Sequence, residues 1–234
     1  MNSVEKMKER KMCFPLEEEE FKMCITDNSL FVKHASNSIT ILLVYVNDIL
    51  LTGNDVKVID ELLSTLNKHF DMRNLGLLQD FLSIEFHHHS NGMFLSQQAY
   101  AKSILQRAGM TDCKSYSTPS TIKKLSLTDK DPPIGDKALY QSIVGGLQYL
   151  TITRPDISFA INWVCQHMHD PKASHYQVVK RIIPYIQGTI PYGLQYTKGS
   201  LSLQGFTDGD WASDIVDRRP TSGYCVFIGN NPIA

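Results

Sequence analysis

The stretch that most constrains this chain is the tetrapeptide Tyr45-Val46-Asn47-Asp48, which lies between two apolar runs at residues 39–44 and 49–51. Two such runs joined by Asn-Asp predict a β-hairpin, because Asn and Asp tolerate the positive φ that a tight turn demands. The hairpin would carry a carboxylate and an amide at its tip. Asn-Asp is also ordinary turn chemistry, so the spacing alone favours a purely structural turn.

Length and composition are those of a globular protein. The 234 residues can form one large or two small domains, and a 42% share of hydrophobic residues is enough to bury a core. The net charge of -1 gives no overall positive potential, so any binding of a nucleic acid must come from local basic or polar groups.

Cysteine usage and hydropathy bear on the compartment. The five cysteines are scattered, odd in number and without paired spacing, which predicts free thiols in a reducing, intracellular compartment. They are Cys13, Cys24, Cys113, Cys165 and Cys225. No apolar run reaches membrane-spanning length and no signal-peptide core is present, so we expect no membrane partner. Cytoplasm, nucleus and mitochondrion are not distinguished.

Local patterns predict the other elements. Residues 26–32 should pair with residues 38–45, and Asn54 or Asp55 can cap a helix that continues to Phe70. Strands are also expected at 81–85, 93–97 and 201–208, and helices at 97–108 (capped by Ser96), 139–151, 153–160 and 174–188. Consecutive histidines at 87–89 point to opposite faces of a strand, and Cys165, His167, His169 and His175 lie on or just after an apolar helix. Core and surface roles are therefore favoured over metal binding for both groups.

Several long matches occur in the same order as in one family. Residues 42–55 resemble the catalytic hairpin of copia-type retrotransposon reverse transcriptases, in which Tyr-Val-Asp-Asp is followed by Ile-Leu-Leu-Thr-Gly. Residues 139–151 and 153–160 resemble the family's Tyr-Arg-Ser-Leu-Val-Gly-Ala-Leu-Gln-Tyr-Leu and Thr-Arg-Pro-Asp-Ile-X-Phe-Ala sequences. Residues 201–227 resemble the opening of the ribonuclease H domain of the same Pol polyprotein, and short plant open reading frames derived from such elements are similar.

The resemblance implies an α+β fold built from half a reverse-transcriptase palm, a helical thumb and connection, and an incomplete ribonuclease H sheet with an exposed edge. The domain boundaries expected from it follow the chain. They are an irregular segment at 1–24, the palm and primer-grip region at 25–111, a linker at 112–136, the helical connection at 137–200 and the ribonuclease H start at 201–234.

The resemblance also implies a metal-dependent site. Nucleotide addition in the family uses two divalent cations, Mg²⁺ or Mn²⁺, held by three acidic side chains. Here Asn47 replaces the first acid of the pair, Asp48 matches the second, and the upstream Asp has no counterpart before Tyr45. Asp208 matches the first metal ligand of ribonuclease H, whose other acids come from later elements. We therefore expect that the metals are not retained.

The resemblance implies contacts with an RNA or DNA template–primer at Tyr45, Ser83 and Arg154. Ser83 lies in the primer grip, at a position where the family usually has Gly. An ion pair that packs helices is an equal alternative for Arg154. Pro184 and Gln187 stand where the family has Arg and Lys, and an interior proline costs a helix about 3 kcal/mol.

Three functions fit these observations. The favoured one is a truncated reverse transcriptase fragment that is catalytically inactive. The second is an active RNA-directed DNA polymerase, possible if another chain supplies the missing strand and Asp. The third is a nucleic-acid-binding or interaction module that works without chemistry.

Overall fold

The computed structural model describes residues 20–35, 37–46, 48–70, 72–120, 131–209 and 220–234. Most of the predicted segment at 1–24, Asn47 and residues 121–130 of the predicted linker therefore lie outside the described residues. The chain divides into two compact units, Met1–Leu78 and Gln79–Ala234.

The described residues of the first unit form an antiparallel sheet that is followed by a helix. Its four strands are hydrogen-bonded in chain order. They are β1 (Lys22–Met23), β2 (Leu30–His34), β3 (Ile39–Tyr45) and β4 (Asp48–Gly53), and the helix that follows is α1 (Val56–His69). β4 pairs with β3 alone among the described residues and is therefore an edge strand of this sheet.

The sequence accounts for the start of α1 and for its packing. Asp55 caps the helix, because its carboxylate accepts the backbone N–H of Lys57 at 3.0 Å, which confirms one of the two expected caps. The other candidate, Asn54, accepts the N–H of Ile39 at 2.8 Å and so fastens the end of β4 to the start of β3. Helix and sheet share a core formed by Phe21, Phe31, Leu42, Leu62 and Leu66.

Two antiparallel sheets are formed by the described residues of the second unit. The four-stranded sheet has the order β5 (Asp80–Phe81), β6 (Ile84–His89), β7 (Gly92–Ser96) and β8 (Gly193–Thr197). The three-stranded sheet has the order β11 (Asn231–Pro232), β10 (Ser222–Ile228) and β9 (Leu203–Gly209). All residues of β9 are exposed, and among the described residues β9 pairs with β10 alone.

Helices supply the main core of the second unit. They are α2 (Gln98–Arg107), α3 (Lys137–Leu150), a short 3-10 helix (Pro155–Ile157), α4 (Ser158–Cys165) and α5 (Ala173–Gly188). Each contributes apolar side chains to one cluster, whose largest fully buried members include Tyr140, Ile104, Leu147, Ile161 and Ile182. Burial of this kind is the dominant favourable term in folding.

Two details differ from the expectations. Helix α2 begins at Gln98 and is not capped by Ser96, whose hydroxyl instead donates to Glu85 at 3.1 Å. Glu85 itself reaches from β6 to accept the N–H of Ala99 at 2.9 Å, so a carboxylate from a neighbouring strand serves the helix N-terminus. The division into compact units falls after Leu78, and the expected palm and primer-grip region at 25–111 stays a prediction.

Side-chain hydrogen bonds from Asn231 and Tyr196 join the two sheets of the second unit. Asn231 accepts the backbone N–H of Thr197 at 2.7 Å and donates its amide to the carbonyl of Thr197 at 2.9 Å. The hydroxyl of Tyr196 adds a 2.8 Å bond to the carbonyl of Pro232. The three-stranded sheet is thereby anchored to the edge strand β8.

The predicted mixture of helix and sheet is confirmed. Cys24, Cys113, Cys165 and Cys225 are free thiols, and Cys13 lies outside the described residues. Within the described ranges, no helix combines the length and the hydropathy that a membrane crossing requires.

Candidate functional site

The predicted hairpin is present, but its turn lies one residue earlier than the Asn-Asp pattern suggested. Tyr45, the last residue of β3, pairs with Asp48, the first residue of β4, so the connection begins at Val46. Val46 has φ of 52° and a side chain that is 59% exposed. A β-branched residue is a genuine outlier there, and such a conformation costs on the order of 1–3 kcal/mol.

Tyr45 and Asp48 lie directly opposite each other at the end of this hairpin. Cross-strand partners project from the same face of a sheet, with Cβ atoms about 4.5–5.5 Å apart. Both residues are exposed, so a phenol and a carboxylate are presented side by side to solvent. Among the described residues, no group of three His, Cys, Asp or Glu side chains could hold a metal ion.

Asp208 lies in the second unit, near the end of the edge strand β9, opposite Gly223. Its side chain is exposed, and its Oδ1 accepts the backbone N–H of Gly209 at 2.9 Å. The acid is therefore positioned by its own strand.

Ser83 lies in a tight turn between β5 and β6. Leu82 and Ser83 are the two central residues, with φ of 52° and 62°. Positive φ at both positions defines a type I′ turn, which glycine and asparagine favour. Glycine adopts positive φ without strain, so the backbone conformation of the turn is one reason why glycine suits the position of Ser83. The other reason is the close approach of the backbone to the primer that the resemblance implies.

The turn is also bonded to a helix. The hydroxyl of Tyr149, on α3, donates to the carbonyl oxygen of Leu82. The ring of Tyr149 packs edge-on against that of Tyr100, on α2, with centroids 5.2 Å apart. Sequence reasoning missed this contact, because Tyr149 and Leu82 are 67 residues apart and no periodicity links them.

Arg154 is 2% exposed and lies inside the second unit. Its guanidinium donates to both carboxylate oxygens of Asp156, at 2.9 and 2.8 Å, and to the carbonyl and the hydroxyl of Thr189, at 2.9 and 2.8 Å. The rings of Tyr185 and Tyr192 lie 5.6 and 5.3 Å from its central carbon. The ion-pair alternative is thus present, and a phosphate contact stays a prediction that this burial does not support.

The environment of Arg154 changes the acidity of its partner. Burial acts to raise the pKa of Asp156, but the hydrogen bonds from Arg154 and Tyr185 and the charge of Arg154 outweigh it, so the pKa is lowered. A carboxylate that stays ionised here keeps the residues between α3 and α4 fastened to the end of α5.

Three of the histidines suggested by the sequence, His87, His167 and His175, have structural partners. His175 is 4% exposed, its ring stacks on that of His167 with centroids 3.8 Å apart, and its Nδ1 accepts the N–H of Lys172 at 3.0 Å. Burial, and after it the neighbouring His167, lower the pKa of His175 to about 4. In β6, His87 stacks on Phe94 and lies 3.7 Å from Glu85.

The chain belongs to the reverse transcriptase (RNA-dependent DNA polymerase) family, whose profile matches residues 1–122. It is 46% identical over 194 residues to an uncharacterized mitochondrial protein of Arabidopsis thaliana, covering 82% of this chain and 80% of that protein. It is 41% identical over 216 residues to the retrovirus-related Pol polyprotein from transposon RE2 of Arabidopsis thaliana, covering 92% of this chain.

A third relative is the retrovirus-related Pol polyprotein from transposon TNT 1-94 of Nicotiana tabacum, 36% identical over 214 residues and 87% of this chain. The resemblance to copia-type retrotransposon proteins is thereby confirmed. The chain spans 15% and 16% of the length of these two polyproteins. No solved structure matches it.

Proposed function

We propose that this chain is a reverse-transcriptase-derived protein that contacts a template–primer duplex but does not add nucleotides. The observation that carries the proposal is the hairpin in which Asp48 opens β4 opposite Tyr45, while position 47 is an amide in the sequence. The turn therefore offers one carboxylate where the family uses two.

The donor set at this hairpin does not fit a pair of divalent cations. Two-metal catalysis needs several hard, negatively charged oxygens to hold the ions a few ångström apart and to offset their charge. Asp48 provides one charged ligand, and an Asn side chain could add one neutral carbonyl oxygen. A site with a single carboxylate therefore lacks most of the electrostatic stabilisation on which phosphoryl transfer depends. Asp208 is likewise a single exposed acid at a strand end.

Family membership supports the nucleic-acid part of the proposal. Reverse transcriptases bind a template–primer, and the Leu82–Ser83 turn, in which Ser83 is exposed, lies in the region where the resemblance expects the primer grip. With a net charge of -1, binding has to come from local contacts to the phosphate backbone.

Primer extension tests the missing chemistry. We expect no incorporation by the purified chain with either Mg²⁺ or Mn²⁺, and the same for Asp48→Ala. Incorporation that is lost in Asp48→Ala would overturn the proposal. The matched variant Asn47→Asp restores a second carboxylate and should tighten Mn²⁺ binding measured by calorimetry, a readout that does not require activity.

The alternative of an active polymerase completed by another chain has one structural argument in its favour. β4 is an edge strand among the described residues, so its outer backbone groups could pair with a further strand. Adding the separately purified upstream region of a related Pol polyprotein to the extension assay tests this alternative. Incorporation that needs both proteins and Asp48 would establish it.

Filter binding of a labelled RNA–DNA duplex across a salt series tests the binding part. Binding that weakens steeply as salt rises is expected, because phosphate contacts release counterions. No binding at low salt would overturn this part of the proposal and leave a protein without nucleic-acid contact.

A further inference from the structure

Strand β9 forms an open edge of the three-stranded sheet. All of its residues are exposed, and among the described residues it is hydrogen-bonded to β10 alone. Proteins usually protect such an edge with a lysine, a proline or a β-bulge. The sequence of β9 contains no lysine or proline, and its register with β10 runs without interruption. The edge is therefore able to accept another strand.

The hydrogen bonds of the sheet show which backbone groups of β9 face outward. The N–H of Gly229 donates to the carbonyl of Ser202 at 2.8 Å, whereas the N–H of Val226 points the other way, to the carbonyl of Ala234 at 2.6 Å. Bonded residues alternate along an antiparallel strand, so every second residue of β9 directs its backbone N–H and carbonyl away from β10. These residues are Leu203, Gly205, Thr207 and Gly209.

The outward groups complement those of an identical strand. If β9 of a second copy lies antiparallel to the first, with a two-fold axis between the two Phe206 residues, outward groups meet outward groups along the whole strand. Gly205 then lies opposite Thr207 of the second copy, and Leu203 lies opposite its Gly209. A two-fold interface of this kind uses the same surface on both copies.

The side chains fit the same pairing. Asp208 falls opposite Gln204 of the second copy, whose amide can donate to the carboxylate, and no like charges meet because Asp208 is the only charged residue of β9. The two Phe206 residues form the central pair, with Cα atoms about 4.5 Å apart. Phe206 is 62% exposed, and its ring packs edge-on against Phe227 with centroids 6.0 Å apart. The pairing would therefore bury a continuous row of aromatic rings.

We propose that β9 is a homodimerisation surface, at which two copies of this chain join their three-stranded sheets into one sheet across a two-fold axis at Phe206. A second copy is the occupant because the same strand supplies both Asp208 and its neutral partner Gln204 in the register that pairs the whole edge. A two-fold contact occupies the edge on both copies, so this assembly closes as a dimer. The proposal does not depend on nucleic-acid binding.

Sedimentation velocity of the full chain over a concentration series should show a monomer–dimer equilibrium. Phe206→Lys should weaken the dimer about tenfold or more, because it places two like charges directly opposite each other on the axis. The matched control is Tyr224→Lys, at a side chain of β10 that is 73% exposed and lies away from the edge. It should leave the equilibrium unchanged, and circular dichroism checks that both variants are folded.

Reversing the charge tests the symmetry of the contact. Phe206→Glu alone should weaken the dimer as Phe206→Lys does, whereas an equimolar mixture of the two variants should form a heterodimer, because unlike charges then face each other across the axis. Thr207→Pro removes an outward N–H and leaves the bonds between β9 and β10 in place. It should weaken the dimer about tenfold, since each copy loses one hydrogen bond.

A chain that stays monomeric at every concentration would overturn the proposal and leave the edge to a different occupant. Dimers that survive Phe206→Lys, or that Tyr224→Lys weakens equally, would also overturn it, because another surface would then hold the copies together. The same holds if the mixed Phe206 variants form no heterodimer.

Discussion

Arg154 and Asp156 form a bidentate ion pair across a single intervening proline, with nitrogen–oxygen distances of 2.9 and 2.8 Å. Because the same guanidinium also donates to Thr189, the pair ties the segment before α4 to the residue that follows α5. The contacts of Arg154 and Asp156 within the second unit thus give the Thr-Arg-Pro-Asp sequence a structural role.

Removing the guanidinium should be destabilising. Arg154→Ala leaves the buried Thr189 without a donor and the exposed Asp156 without its ionic partner, so we expect a loss of about 1–3 kcal/mol in the free energy of unfolding. Urea denaturation followed by circular dichroism measures it. Lys198→Ala, at an exposed lysine, is the control and should change stability by less than about 0.5 kcal/mol.

Stability should fall in mild acid because of His175. Its folded-state pKa of about 4 lies below the ordinary value of 6.5, so the unfolded chain binds more protons between these limits. The contribution of His175 is complete above about pH 6.5 and is lost as pH falls toward 4.

Denaturation midpoints measured between pH 4 and pH 7 would show this slope. His175→Gln should flatten the curve, whereas His89→Gln, at an exposed histidine, should leave its shape unchanged. Equal slopes in the unmodified chain and in His175→Gln would contradict the assignment. The lowered pKa of Asp156 adds a second loss at still lower pH, as that carboxylate is protonated.

Val46→Gly should stabilise the first unit. Glycine removes the cost of positive φ at the hairpin turn, but it loses more chain entropy on folding, so we expect a net gain of about 0.5–1 kcal/mol. Thermal unfolding would detect it. Val44→Gly is the matched control in the adjoining strand, where no positive φ occurs, and it should destabilise.

Pro184→Ala should stabilise α5. Pro184 is buried inside the helix and cannot donate to the carbonyl of Lys180, whereas alanine restores that bond and has the highest helix propensity. Allowing for the lost ring packing, we expect a gain of about 1–2 kcal/mol.

Pro155 offers a direct comparison for this substitution. It opens the 3-10 helix, where a missing N–H costs nothing, so Pro155→Ala should change stability by less than about 0.5 kcal/mol. A similar effect of both substitutions would refute the helix-interior explanation.

Features governed by local chemistry were predictable from the sequence. Two apolar runs joined by turn residues located the β3–β4 hairpin, and the cap expected at Asn54 or Asp55 and the helical spacing of Leu62 and Leu66 located α1. The helix expected at 174–188 is present as α5, and it continues through Pro184.

Features that depend on distant contacts were not predictable. The carboxylate at the N-terminus of α2 belongs to Glu85 on β6, and the hydroxyl that donates to the carbonyl of Leu82 belongs to Tyr149 on α3. The turn position was missed because Asn and Asp favour positive φ, yet Val46 adopts it. Cross-strand pairing of Tyr45 with Asp48 overrides that local preference.

The Asn231 side chain makes the pair of hydrogen bonds that a neighbouring strand would make, since its amide donates to and accepts from the same residue of β8. The backbone groups of Thr197 at the edge of the four-stranded sheet are therefore paired by one amide group, which lies more than thirty residues further along the sequence. A polypeptide shortened at residue 200 would keep helices α1–α5 but would leave the edge of β8 at Thr197 unpaired. Unpaired backbone groups at a strand edge can pair with another chain and promote self-association.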